Sequence, residues 1–236
     1  MFACFMVAEA TFLAASVLIL LPSVLAPPDQ DAGMRLPGPV LVAALVVPTV
    51  AAGVVATVGA ALLGRGSLPE RLRNQLSLRW RLSDVGIGLA MGIVGLVITL
   101  PAAAVWARWV GKSEANSAVG EVFDGQRLPL ELALLLFFAV WLIAPMCEEL
   151  LYRGVLWRAM EYRQWNRWVI FWLTTVIFSV AHFELLRTPL LVVVSLPIAL
   201  ARLLTGNLLT SIVAHQANNF LPAVGLLLIT QGAMPA

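Results

Sequence analysis

The chain has 236 residues, 61% of them hydrophobic and only 12% charged, with a mean hydropathy of +0.92. A soluble domain carries about twice that charged fraction, so the whole chain reads as membrane-embedded, not as a soluble domain with a tail. A net charge of +2 is too small to suggest a nucleic-acid partner, and Cys4 and Cys147, both in apolar segments, do not make a disulfide framework.

A membrane span needs about 20 mostly apolar residues. Seven segments qualify, at about 2–26, 39–64, 85–109, 129–147 (running on as helix to about 161), 167–184, 188–205 and 207–231. The expected fold is an all-α, polytopic transmembrane bundle of about seven spans, within six to eight. The first run lacks a basic leader and is long, so it reads as a retained span rather than a cleaved signal. Its one acid, Glu9, has no assigned role. In the third span Gly88 and Gly92 form a GxxxG, read as close helix packing, with a dimer face as the weaker alternative. The sequence fixes no oligomeric state. The last three spans are short and closely joined, so any of them could be tilted, broken or partly re-entrant. We divide the chain into N-terminal transmembrane helices of unassigned role (1–128) and a C-terminal helical core (129–236).

Orientation follows from the arginines, which make up every basic residue except Lys112. Arg65, Arg71, Arg73, Arg79 and Arg81 share one loop, and Arg158, Arg163 and Arg167 a later turn. The loops at 27–38 and 111–129 are acidic or mixed. The positive-inside rule puts the arginine-rich loops and the N-terminus in the cytoplasm. Trp80, Trp106, Trp109, Trp157, Trp165 and Trp168 fall near span ends, as an aromatic belt would.

Against this background the stretch "APMCEELLYRG" stands out, because an ionisable residue within a span is by default a functional-site hypothesis. Glu148 and Glu149 point about 100° apart on a helix. Glu149 and Arg153 are spaced i,i+4 with the acid first, the favourable order for an ion pair. That leaves Glu148 as the reactive carboxylate, with the Tyr152 hydroxyl one turn on as a possible partner. The competing reading is that all three charges simply lie at the cytoplasmic interface. Counting 17 residues back from the turn at Trp165 reaches Glu148, and 17 forward reaches His182. In an antiparallel hairpin, equal counts mean equal depth, up to about 25 Å from the turn. Glu148 and His182 can therefore meet inside the bundle. In the last span His215 and Asn219 share a face at i,i+4, and both can donate to one point, as an oxyanion requires; helix-packing glue is the blander reading. To align His215 with the other pair, its helix must tilt or break, and Pro222 makes a break plausible. Cys147, beside two carboxylates, reads as a small buried hydrophobe and not as a nucleophile.

"EELLYR", "FSVAH" and "HQANN" match EExxxR, FxxxH and HxxxN. In this order the chain resembles the CPBP intramembrane proteases, which include the type II CAAX prenyl endopeptidases and the bacteriocin-processing and immunity proteins. The likeness covers about residues 130–231. It implies that Glu148 activates a water for attack on a peptide carbonyl, with His182 holding that water and His215 and Asn219 stabilising the oxyanion. It also implies that Glu149 and Arg153 hold the architecture, with Phe178 packed beside the site. The implied function is an intramembrane endopeptidase that hydrolyses a peptide bond of a membrane-associated or lipidated substrate, a peptide or prenylated protein, among membrane lipids in a bacterial plasma membrane. A non-catalytic scaffold or immunity protein of the same fold is the alternative. The chemistry is read as metal-independent, with no cofactor. Zinc held by Glu148, His182 and His215 is the alternative, against which stand the missing HExxH spacing and the poor ligand quality of Asn.

Overall fold

The computed structural model describes residues 1–25, 36–111 and 117–234, and among these every regular element is a helix. In chain order they are α1 (Phe2–Leu25), α2 (Gly38–Leu63), α3 (Leu68–Leu76), α4 (Leu82–Val110), α5 (Ala118–Phe123), α6 (Leu130–Glu161), α7 (Arg167–Val180), α8 (Thr188–Thr205) and α9 (Leu208–Gln231). The expected all-α bundle is what the chain forms. Six helices, α1, α2, α4, α6, α8 and α9, are long and apolar enough to cross a membrane. The seventh, α7, has 14 residues. It rises about 21 Å, short of the roughly 30 Å hydrocarbon core. The segment expected at 167–184 is thus a short helix followed by a turn, and His182 stands just past the helix end. Residues 27–35 and 112–116 of the two acidic or mixed loops lie outside the described residues.

The outer surface is apolar: Leu18 and Val24 on α1 and Ile93 and Val97 on α4 are all exposed. Such side chains suit lipid contact, where packing between helices depends on small residues that let backbones approach. Gly88 and Gly92 do this for α4 against α9. A Cβ at either position would lie 2.8 Å from a backbone oxygen of α9, that of Thr210 or of Ala214. The GxxxG face is therefore filled within the chain. Gly53 plays the same part for α2, where a Cβ would meet the Cys147 sulfur at 2.6 Å; Cys147 is a free, buried thiol.

Helix α6 carries the two acids, and it is not a uniform α-helix. Ala139–Ile143 and Leu150–Leu156 are π-helical, flanking the α-helical turn Ala144–Glu149. Pro145 explains the first wide turn. It has no N–H, and its ring would clash with the carbonyl one turn earlier; widening the turn relieves both problems. Wide turns leave carbonyls underused, and neighbouring helices fill them. Asn219 Nδ2 donates to Val140 O at 3.3 Å and Gln216 Nε2 to Leu142 O at 3.0 Å. At the second wide turn, the buried Arg202 of α8 donates from Nε to Arg153 O at 3.1 Å. Trp157 departs from the expected aromatic belt. It is buried, donates from Nε1 to Glu161 at 2.8 Å, and lies under the Arg202 guanidinium.

The arginine-rich loop is tied to the α8–α9 turn through Asn207. Its amide accepts from Arg79 N at 3.0 Å and donates to Arg79 O at 2.7 Å and to Asp84 Oδ2 at 2.6 Å. This fixes the start of α4, and hence the glycine face that receives α9.

Candidate active site

The site is assembled where α6, α7 and α9 face one another. Glu149 and Arg153 form the i,i+4 pair expected of them, 2.9 Å apart and both fully buried. The Arg153 guanidinium also lies over the Phe178 ring, 4.4 Å from its centre. A buried charge is tolerated only when paired, and this pair supplies the neutralisation.

Glu149 has a second partner that helix spacing could not reveal. His215 Nδ1 lies 3.0 Å from Glu149 Oε1. A carboxylate only accepts, so Nδ1 carries the hydrogen and donates it. The ring's other nitrogen is thereby turned toward Glu148, with Nε2 at 3.7 Å from Oε2. That separation exceeds a hydrogen bond. His215 thus stands between the two adjacent acids, bonded to one and facing the other. Glu149 is accordingly an orienting group for a histidine as well as the partner of Arg153. No sequence signal joins residues 66 positions apart.

Glu148 is partly open, its side chain 25% exposed, whereas Glu149 has no exposure. The division inferred from helix angles, one enclosed acid and one available acid, matches this difference. His215 is the histidine within ion-pair distance of Glu148 among the described residues. His182 sits one ring away: Phe178 meets the His182 ring edge-on at 4.7 Å and the His215 ring at 5.7 Å. Phe178 thus packs against both histidine rings. His182 Nδ1 is 2.8 Å from Phe178 O. A carbonyl only accepts, so Nδ1 is the donor and Nε2 is left as an acceptor, suited to holding a water. His182 is exposed where His215 is buried.

Asn219 lies on the His215 face, but its amide donates to Val140 O; one amide hydrogen remains. Tyr152, one turn on from Glu148, is buried. Its hydroxyl faces Glu9 of α1, and its ring is held edge-on between Phe5 at 5.7 Å and Phe178 at 5.3 Å. The residues that sequence reasoning passed over are Gln216 and Arg202, which support α6; Glu9 has no role assigned from sequence.

The buried acid–arginine pair, the histidine fixed by that pair and the open acid beside it all come from one stretch of the chain. Residues 130–221 match the family of type II CAAX prenyl endopeptidase Rce1-like proteins. The match agrees with the resemblance to CPBP intramembrane proteases drawn from the three motifs. No curated protein and no solved structure matches the chain. The Rce1-like family is a protease family, and with six membrane-length apolar helices the chain is an integral membrane protein. Every residue placed in the site above, except Glu9 and Phe5, lies inside the Rce1-like segment.

Zinc would need Glu148, His182 and His215 to converge. Among the described residues no group of three or more His, Cys, Asp or Glu is placed to hold a metal ion.

Proposed function

We propose that this protein is an intramembrane endopeptidase that hydrolyses a peptide bond in a membrane-associated or lipidated peptide or protein. The observation that carries this reading is the chain Arg153–Glu149–His215–Glu148. It couples a buried ion pair to an oriented imidazole that faces a partly open carboxylate, within the Rce1-like segment.

Glu148 is the general base. It takes a proton from a water whose oxygen attacks the peptide carbonyl, then passes that proton to the departing amine. His182 offers its Nε2 lone pair to a hydrogen of the same water. The developing oxyanion is met by His215 and by the second Asn219 hydrogen. With Nδ1–H given to Glu149, His215 donates from Nε2 only as imidazolium, and the Glu149 carboxylate at 3.0 Å faces that charge. Glu149 thus orients the ring that meets the oxyanion, as a preorganised donor requires. The chemistry proposed is carried by these side chains without a metal.

The test uses purified protein in proteoliposomes with a quenched-fluorescent farnesylated peptide ending in a CAAX sequence. The wild type cleaves it, and Glu148→Gln and His182→Ala do not, although both insert and run as folded protein. Cleavage by Glu148→Gln at the wild-type rate would overturn the assignment.

A further inference from the structure

Helix α1 lies outside the Rce1-like segment, yet it brings an acid to the site. Phe5 and Glu9 are one turn apart on α1, and Glu148 and Tyr152 are one turn apart on α6. The Phe5 ring meets the Tyr152 ring, and the Glu9 carboxyl faces both the Tyr152 hydroxyl and Glu148. The two helices therefore run antiparallel here, with Phe5 opposite Tyr152 and Glu9 opposite Glu148. Glu9 Oε1 is enclosed and has no hydrogen-bond partner among the described residues. A carboxyl at this depth is costly and is a functional hypothesis by default. No arginine or histidine pairs with it among the described ion pairs, in contrast to Glu149.

We propose that Glu9 is a positioning residue for the hydrolytic reaction, acting through the Tyr152 hydroxyl to fix the side of the site on which Glu148 stands. The inference rests on the protease reading given above. Tyr152 is clamped by Phe5 and Phe178, and Phe178 touches both histidine rings. The hydroxyl is the one end of Tyr152 that aromatic packing does not hold. Glu9 faces it from α1. Glutamine keeps a hydrogen-bonding group at this place in nearly the same volume, whereas leucine does not.

The experiment is a double-mutant cycle on the farnesylated CAAX peptide in proteoliposomes, with rates normalised to folded protein by size exclusion in detergent. Glu9→Leu and Tyr152→Phe each lower kcat about tenfold with KM within threefold. The double variant also loses about tenfold rather than a hundredfold, because both changes remove one interaction. Glu9→Gln restores kcat to within about threefold of wild type. A packing role would leave kcat per folded molecule unchanged and would not distinguish Gln from Leu. Additive losses, a change confined to KM, or Gln behaving as Leu would overturn the proposal. Glu148→Gln is run alongside. If it still cleaves, the protease mechanism fails; if it is inactive while Glu9→Leu keeps wild-type kcat, only the role of Glu9 fails.

Discussion

Replacing Glu149 with glutamine separates what the buried pair does for the fold from what it does for the site. In the wild type, Arg153 and Glu149 neutralise each other at 2.9 Å with no exposure. Glu149→Gln leaves the guanidinium buried without a counter-charge. Breaking such a pair from one side costs about 3–5 kcal/mol, although the Phe178 face under Arg153 recovers part of that. Adding Arg153→Met removes the stranded charge, and replacing a whole buried pair with neutral groups is often close to neutral in stability. The double variant should therefore regain most of the lost stability. It should not regain activity, because His215 Nδ1 no longer faces a carboxylate. Unfolding in detergent by a thiol-reactive dye would not serve, since Cys147 lies beside the site; intrinsic tryptophan fluorescence against temperature serves instead. Cleavage is followed on the same samples. A double variant as unstable as the single would refute the ion-pair account. One that cleaves at the wild-type rate would refute the coupling of Glu149 to His215.

Gly92→Leu should lower stability by about 1–3 kcal/mol through overpacking and reduce kcat, because the added side chain drives into the α9 backbone beside His215; thermal unfolding and cleavage rates check both effects. Asn207→Leu leaves the buried Asp84 carboxylate and the Arg79 backbone without their partner. It should cost about 1–3 kcal/mol and expose residues 77–82 to limited proteolysis, while cleavage per folded molecule stays near wild type. Strong chelation of metal-analysed protein should leave cleavage intact; loss restored by zinc alone would replace the metal-independent mechanism.

The membrane helices were legible because hydropathy and length suffice to mark them: α2, α8 and α9 begin and end within a residue or so of the expected spans. The break inside α6 was not, since π-helical turns have no composition of their own, and Pro145 was the one hint. The Glu149–Arg153 pair was readable because i,i+4 neighbours are fixed by helix geometry alone. His215 against Glu149 was not readable, because it depends on how α9 leans on α4, which Gly88 and Gly92 decide. Equal counting across the Trp165 turn brought His182 to the right neighbourhood. It assumed a straight helix through residue 182, however, and α7 ends at Val180, so His182 stands in the turn beyond the helix, packed on Phe178. Trp157 misled for a related reason: tryptophan near a span end usually anchors at the interface, but here a buried arginine required an aromatic face.

The shortness of α7 has a consequence for the supply of the second reactant. Hydrolysis consumes one water per turnover, and hydrocarbon offers none. A 14-residue helix leaves about 9 Å of a 30 Å apolar slab unfilled, and a bilayer meets such a shortfall by thinning locally or by letting polar groups and their hydration reach inward. Were that adjustment made at the end of α7, where His182 is exposed, water would reach the proposed site through a membrane that otherwise keeps it dry.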